Sequence, residues 1–318
     1  MTEFNHINVA KVIDVSSWDR AEEVPTGSRE KVTLIDPESG SHYIFKYPKE
    51  HREHQIWSEL LASFIAGDLL KWDVQHTSIA VSHGRLGNLL GYVYEPGSPT
   101  TPQETFIEGW QFCTQVDQYF DVKKGTRHTL PLIVDVCDKL LVPSLGVQRE
   151  DFMGFWARAR ALALDTLISN TDRHAENWAV VSGHDGCRMA ALYDNGSSMG
   201  CGIDQVGLAR TFEPTGKIKG NHLDQQKRNG CHHLRLDQPA KRGGGFEDVS
   251  VAFLKLYPDG RPLFEDAAGI DLDKVLQLMD DISVSLPLDP PHDLSQMRRQ
   301  HICAMLQIGA ERIKNVLK

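Results

Sequence analysis

The stretch LISNTDRHAENWAVV, at residues 167–181, decides the fold class because it places Asp172, His174 and Asn177 within six residues between two apolar runs. Asp172 could accept the proton of an attacking hydroxyl, and Asn177 could offer an amide oxygen to a divalent metal on a nucleotide. A second metal-binding carboxylate should follow on a nearby strand, and Asp194 stands seventeen positions after Asn177. The order of these residues predicts a phosphoryl-transfer loop.

The alternative interpretation of this stretch is an ordinary polar turn, with Asn170 or Thr171 ending the preceding helix or starting the turn. We favour the catalytic interpretation because Asp194 follows in the order that the chemistry needs. His174 could orient the loop through a hydrogen bond or take part in the chemistry. We favour orientation, and we keep His174 with Asp172 as a catalytic candidate.

The composition is that of a globular protein with an acidic balance. The chain has 318 residues, of which 41% are hydrophobic and 24% charged, and its formal net charge is −9. This charge argues against a general nucleic-acid or membrane-surface binder, because such proteins usually carry a basic excess. Residues 1–6 lack a cationic region followed by an apolar one, and no run of about 18 apolar residues occurs. The sequence therefore predicts a cytoplasmic protein without a membrane segment.

The first third of the sequence is typical of a small β-rich domain. Residues 31–35 and 42–46 are β-branched or aromatic runs, and the turn-forming cluster DPESGS between them predicts a hairpin. Apolar residues at three- and four-residue spacing then predict a helix from Glu53 to about Leu70. Two further strands are predicted at residues 78–81 and 89–94.

The sequence Pro96-Gly97-Ser98-Pro99 marks a predicted domain boundary. We expect a nucleotide-binding domain at residues 1–95 and a helical catalytic domain at residues 96–318. Within the second domain, a helical pattern over residues 152–168 leads into the Asp172 loop. A short apolar strand is predicted at residues 190–193, directly before Asp194.

The last third is predicted to be irregular and then helical. Residues 201–245 are rich in glycine and lysine, which favours an irregular, mobile segment. Terminal helices are predicted at residues 273–282 and 293–317, with Asp293 as the cap of the second.

With these features in place, the chain resembles the HipA-like kinases, a bacterial serine/threonine kinase family related in fold to protein and phosphoinositide kinases. The resemblance covers roughly residues 24–200 and rests on three further stretches. These stretches are TGSREK at residues 26–31, YIFKYP at residues 43–48, and SELLA at residues 58–62. They are similar to the family's glycine-containing loop, its strand with the nucleotide-binding lysine, and its helix with that lysine's partner.

The resemblance implies a two-lobed α+β fold, with a small β-rich lobe and a larger, mostly helical one, that uses ATP and Mg²⁺. Asp172 and His174 would be the catalytic residues of this fold, and Asn177 and Asp194 would bind the metal. The residues implied to bind ATP are Gly27, Ser28, Lys46, Glu59 and Tyr94.

Two of these assignments have an ordinary alternative. Gly27 could be only a turn between strands, because a single glycine is a poor phosphate-binding loop. Lys46 could be a solvent-facing strand residue, which is the commonest position of lysine. The family's autophosphorylated serine corresponds to Val24, so autoinhibition by that residue is not expected, although Thr26 or Ser28 could replace it.

The family resemblance also implies a protein substrate, a toxin role and a DNA-binding antitoxin protein as partner, with no direct nucleic-acid binding by this chain. A phosphoinositide kinase and a non-catalytic nucleotide-binding pseudokinase remain as alternatives. A basic concentration downstream of Asp194 could be a solvated loop, or it could bind an acidic protein or an inositol phosphate head group. It comprises Lys217, Lys219, Lys227, Arg228, His232, His233, Arg235, Lys241 and Arg242.

Zinc binding is not expected from this sequence. The six cysteines show no paired short spacing, which favours reduced thiols over a disulfide framework. The run Cys231-His232-His233 has no second ligand pair at zinc-finger spacing, and neighbouring residues of an extended chain point to opposite sides.

Overall fold

The protein is a mixed α+β chain, seen in a computed structural model that describes residues 7–22, 29–94, 103–141, 146, 160–184 and 186–318, with side chains from residue 11 onward. The strands are β1 (Ile7–Asp14), β2 (Asp19–Arg20), β3 (Lys31–Ile35), β4 (His42–Lys46), β5 (Thr77–Ser82), β6 (Arg85–Gly91), β7 (Thr105–Glu108), β8 (Ala179–Gly183) and β9 (Gly186–Met189).

The described helices lie mostly in the second half of the chain. They are α1 (Gln55–Ser63), α2 (Gly109–Val116), α3 (Leu130–Val136), α4 (Arg160–Ile168), α5 (Gln205–Arg210), α6 (Gly220–Asn229), α7 (Phe246–Leu256), α8 (Arg261–Ala268), α9 (Leu272–Ser285) and α10 (Gln296–Val316). Among these described helices, none combines the length and the apolar character that crossing a membrane requires.

The larger sheet has six strands in the order β1-β5-β6-β4-β3-β2, antiparallel except for the parallel pair of β1 and β5. The predicted hairpin is confirmed, since β3 and β4 pair along their whole length. Leu34, Phe45 and Leu89 lie in the core on one face of this sheet. Because successive strand residues point to opposite faces, Lys46 is directed to the other face.

Helix α1 carries the predicted apolar face, and every one of its residues is buried. It continues into a π-helical stretch at Phe64–Leu69, so the helical region ends near the predicted Leu70. The amide of Asn88 in β6 donates to the carbonyl of Ile56, with 3.0 Å between nitrogen and oxygen. The helix is thereby fixed to the sheet.

The smaller sheet has the order β7-β8-β9 and is antiparallel. The strand predicted at residues 190–193 is wrong, because the ladder is formed by Gly186–Met189 instead. Ala190 is nevertheless buried against Ala179 and Val181. The Ala190 amide donates to the Ala179 carbonyl at 3.0 Å and Leu192 forms an isolated bridge, so the apolar pattern reflects burial with only isolated backbone pairing.

Two other predictions need correction. The segment 201–245 is not irregular throughout, since it contains α5 and α6. Asp293 does not cap the last helix, which begins at Gln296; the Ser295 hydroxyl accepts from the Arg298 amide at 3.4 Å. Asp293 instead accepts from the Gln205 side chain at 2.6 Å.

The chain forms two compact units. The first unit contains Met1–Tyr92, Asn195–Gln226 and Asp271–Leu306, and the second contains Val93–Asp194, Lys227–Ile270 and Gln307–Lys318. The predicted division between residues 95 and 96, with its Pro-Gly-Ser-Pro marker, falls in residues 95–102 outside the described part of the chain. That division stays a prediction.

Candidate active site

The first unit contains a buried pair formed by Lys46 of β4 and Glu59 of α1. The Lys46 ammonium lies 2.9 Å from Oε1 of Glu59, and their side chains are only 5% and 2% exposed. The pairing follows from the local structure, because the alternation of β4 directs Lys46 away from Phe45 and α1 buries Glu59. The alternative that Lys46 faces solvent is therefore wrong.

The second oxygen of Glu59 holds the chain that follows Asp194. Oε2 accepts the backbone amide of Asn195 at 2.8 Å. The neighbouring Ser58 hydroxyl donates to the carbonyl of Ser198 at 3.0 Å. A Cβ added to Gly196 would lie 3.0 Å from Oε1 of Glu59, so this close approach favours glycine there. Two successive residues of α1 thus fix residues 195–198.

Residues 170–177, the predicted catalytic loop, lie in the second unit, and their side chains and carbonyls bond to the backbone of the same loop. The Asn170 side chain accepts the Asp172 amide at 3.1 Å, and the Asp172 carbonyl accepts the amides of His174 at 2.8 Å and of the Asn177 side chain at 2.6 Å. The Asp172 carboxylate is 44% exposed. The loop therefore presents a carboxylate at the surface of a closed turn.

The side chain of Asn177 is oriented by its bond to the Asp172 carbonyl. Only the amide nitrogen can donate to a carbonyl, so the amide oxygen of Asn177 must face the other way. An amide oxygen and a carboxylate are ligands that Mg²⁺ accepts, and Asn177 with Asp194 would supply one of each. The donor set thus fits the metal that the sequence resemblance implies.

His174 lies between Glu176 and Asp172 in this loop. Its Nδ1 lies 3.2 Å from the Glu176 amide, from which it can accept, and 3.4 Å from the Glu176 carboxylate. Its Nε2 lies 3.8 Å from the Asp172 carboxylate, which is beyond hydrogen-bond distance. The orienting role of His174 stays a prediction.

Arg173, between the two catalytic candidates, is a residue that the sequence interpretation passed over. Its side chain is 0% exposed and forms a bidentate pair with Asp165 at 2.8 and 3.1 Å. The same guanidinium donates to the carbonyls of Asn177 at 3.2 Å and Tyr193 at 2.6 Å. One side chain thus ties together the backbones beside the two predicted metal ligands.

Asp165, on α4, is the centre of this buried network. Besides Arg173, its carboxylate accepts the Asn170 amide at 2.9 Å and contacts Nε2 of His232 at 3.0 Å. Burial would raise the pKa of Asp165, but the charge of Arg173 and the His232 hydrogen bond hold it below the usual 3.8. The sequence contained a pattern that could have indicated this network. Asp165 is the one acidic residue in the apolar run ALALDTLI, and a buried charge needs partners.

Asp194 is the last residue of the segment Val93–Asp194 of the second unit and has a left-handed backbone, with φ of 51°. Aspartate tolerates this conformation better than most residues, and such positions cluster at functional sites. The charge of Asp194 is among the influences that raise the pKa of Arg173 against the opposing effect of burial. The Asp194 carboxylate therefore interacts electrostatically with the Arg173 guanidinium, which holds the loop.

Tyr94 forms one end of a row of aromatic rings in the second unit. It stacks on Phe106 with 5.1 Å between ring centres, and Phe106 contacts Tyr193 edge-on at 5.6 Å. The row connects the predicted base-binding tyrosine to the residue before Asp194. Gly27 and Ser28, the other predicted ATP contacts, lie outside the described residues.

The basic concentration after Asp194 is only partly available for an external partner. Lys219 donates to the carbonyl of Arg210 at 2.7 Å, and Lys227 lies 2.7 Å from Glu311. His232 and Arg235 are 1% and 4% exposed and are turned into the second unit. Several of these side chains therefore serve the fold.

The fold matches two solved structures. The crystal structure of CtkA, described as a proinflammatory kinase of Helicobacter pylori, matches with a TM-score of 0.72 and 16% identity over 96% of this chain and 97% of that chain. HipA of Shewanella oneidensis MR-1, solved with HipB and operator DNA, matches with a TM-score of 0.56 and 15% identity over 94% of this chain and 68% of that chain. No protein-family model and no curated protein matches the sequence. The chain therefore has the fold of the HipA-like kinases, and the predicted α+β fold class is confirmed.

Proposed function

We propose that the protein is an ATP- and Mg²⁺-dependent serine/threonine protein kinase of the HipA-like type. The observation that carries the proposal is the construction of the second unit's loop. It presents the Asp172 carboxylate, directs the Asn177 amide oxygen away from the Asp172 carbonyl and, through Arg173, connects Asn177 to the residue before Asp194. A proton-accepting carboxylate and metal-binding oxygens are the groups that phosphoryl transfer needs.

In this proposal Asp172 orients the acceptor hydroxyl and takes its proton. Nε2 of His174 lies 3.8 Å from this carboxylate. Asn177 and Asp194 hold Mg²⁺, which when bound would neutralise charge on the phosphates. Because Arg173 fixes the backbones beside both residues, the ligands are positioned before the nucleotide arrives.

Lys46 pairs with the phosphates that are not transferred. Its ammonium has a fixed position because Glu59, buried on α1, lies 2.9 Å away. Glu59 in turn is held by the Asn195 amide. A lysine fixed in this way offers a localised positive charge with little freedom left to lose on binding.

The test is transfer of labelled γ-phosphate from ATP to protein acceptors and to phosphoinositide vesicles. We expect label on serine or threonine of protein, and at least about a thousandfold loss of turnover in Asp172→Asn, with ATP affinity changed by less than about threefold. The matched control is Asp289→Asn, which alters an exposed carboxylate. Label on lipid alone would identify a phosphoinositide kinase instead. ATP binding without transfer to either acceptor would identify a pseudokinase.

The proposed partner is a small DNA-binding antitoxin protein. The support is the HipA structure, which contains HipB and operator DNA and covers 94% of this chain. Co-expression with a neighbouring helix-turn-helix protein, followed by purification, should give a complex with reduced kinase activity. If no such protein is encoded nearby, the proposed partner is wrong and the protein is a kinase without an antitoxin.

A further inference from the structure

His232 and His233 follow one another in the chain but contact different parts of the catalytic loop. The backbone that carries them is fixed on both sides. The His232 amide donates to the Gly244 carbonyl at 2.9 Å, and the Arg235 amide donates to the His128 carbonyl at 2.9 Å. The two side chains are therefore presented by a segment with little freedom to move.

His232 acts on the Arg173 side of the loop. Its Nδ1 accepts the Leu234 amide at 2.9 Å, so the neutral ring carries its proton on Nε2. Nε2 lies 3.0 Å from Oδ2 of Asp165, the oxygen that Nε of Arg173 also contacts. Both side chains are at most 1% exposed. His232 thus donates to the carboxylate that orients Arg173.

His233 lies on the other side, against His174. The two rings meet edge-on, with 5.6 Å between centres and 67° between planes. His233 is held in turn by Arg235, whose guanidinium lies 3.3 Å from its Nδ1, and by His128, whose Nδ1 lies 3.5 Å from the same atom. Burial, with Arg235 as the next influence, lowers the pKa of His233 to about 3, so an uncharged ring faces His174.

His128 connects His233 to Trp178 and so also helps to hold the His233 ring. It is 0% exposed and accepts from the indole nitrogen of Trp178 at 3.4 Å. Trp178 directly follows Asn177. The ring of His233 is further confined by Gly125, where an added Cβ would lie 2.7 Å from the imidazole. His233 can therefore keep the plane of the His174 ring, and with it the direction of Nε2 toward Asp172.

We propose that His232 and His233 are positioning residues for phosphoryl transfer, His232 through Asp165 and Arg173 and His233 through His174. The inference rests on the proposed kinase function. It gives the Cys231-His232-His233 run a role other than metal binding. Nε2 of His232 is engaged by Asp165, and among the described residues no group of three His, Cys, Asp or Glu side chains is arranged to hold a metal ion.

Two substitutions at His232 separate its two hydrogen bonds. Gln places an amide N–H near the position of Nε2 and can keep the bond to Asp165. Asn places its oxygen near Nδ1, so it can accept from Leu234 but cannot reach Asp165. We expect His232→Asn to lower kcat about 10- to 100-fold with the KM for ATP nearly unchanged, and His232→Gln to recover most of the rate. The control is His184→Gln, an exposed position in the second unit.

The first readout does not depend on activity. Amide hydrogen exchange over residues 170–177, in protein free of nucleotide and metal, should become at least about tenfold faster in His232→Asn than in wild type or His232→Gln. Equal exchange and equal kcat in the Asn and Gln variants would overturn the role of His232. If the Asn variant does not fold, the same comparison is made between wild type and His232→Gln, whose exchange and kcat should then be close to wild type.

The second readout concerns His233. His233→Asn retains an acceptor for Arg235 and His128 but removes the ring that contacts His174, and we expect a fall in kcat of about 3- to 10-fold. A rate equal to that of wild type would overturn its role. If wild type itself transfers no phosphate, the proposed function fails, while the exchange comparison still decides whether His232 orders the loop.

Discussion

Replacement of Arg173 by methionine should destabilise the second unit far more than the loss of an exposed ion pair. The guanidinium is 0% exposed and binds Asp165 and the carbonyls of Asn177 and Tyr193. Removing one partner of a buried pair strands the other charge, which costs about 3–5 kcal/mol. The two abandoned carbonyls add about 1 kcal/mol each. The expected loss of about 5–7 kcal/mol is close to the whole stability of many domains.

Two variants calibrate this loss. Arg173→Lys keeps a positive charge near Asp165 but cannot reproduce the fork, so a loss of about 1–3 kcal/mol is expected. Arg188→Met removes an exposed pair, since Arg188 lies 2.9 Å from Glu104 with side-chain exposures of 49% and 21%. That change should cost at most about 1 kcal/mol. Urea unfolding followed by tryptophan fluorescence measures all three variants.

The pH dependence gives the same experiment a second readout. In wild type the pKa of Asp165 lies below 3.8, so its stabilisation is present above the unfolded pKa and is lost as the pH falls through the folded one. Without Arg173, burial should instead raise that pKa. The penalty of the buried carboxylate is then relieved as the pH falls toward 5, and Arg173→Met should gain stability relative to wild type.

The reasoning would be refuted by an Arg173→Met variant that loses no more free energy of unfolding than Arg188→Met. It would also be refuted by a difference between Arg173→Met and wild type that stays constant from pH 7 to pH 5. Either result would mean that Asp165 is not a buried carboxylate that depends on Arg173.

Two further predictions concern other parts of the fold. Glu59→Gln should destabilise the first unit by about 3–5 kcal/mol, because it strands the buried ammonium of Lys46; unchanged urea unfolding would contradict the pairing. Gly309→Ala should cost about 1–3 kcal/mol in thermal unfolding, since the new Cβ would lie 1.9 Å from the Leu167 carbonyl oxygen. Gly202→Ala meets no atom within 4 Å and should be close to neutral.

The sequence predicted the first unit well because its signals are local. The hairpin of β3 and β4 follows from alternating apolar residues around a turn-forming cluster, and α1 follows from apolar spacing. The pairing of Lys46 and Glu59, which are thirteen positions apart, did not follow from these patterns and was expected only from the family resemblance. The resemblance to HipA-like kinases supplied the roles.

The supporting network in the second unit could not be predicted in this way. His232 meets Asp165 across 67 positions of sequence, and no spacing rule indicates which distant residue will reach a buried carboxylate. The error at residues 190–193 has a related cause. Their apolar character reports burial against β8, and burial alone does not specify a paired strand.

The loop geometry also explains why its support lies outside the motif. A loop of eight residues has few repeating backbone bonds, so side chains must fix its shape, and here they converge on Asp165 from Asn170, Arg173 and His232. A fully buried carboxylate is tolerated only while these donors remain in place. Loss of any one donor should therefore loosen the loop as a whole. Asp165, one turn before the end of α4, thus fixes the loop that carries Asp172 through Asn170 and Arg173.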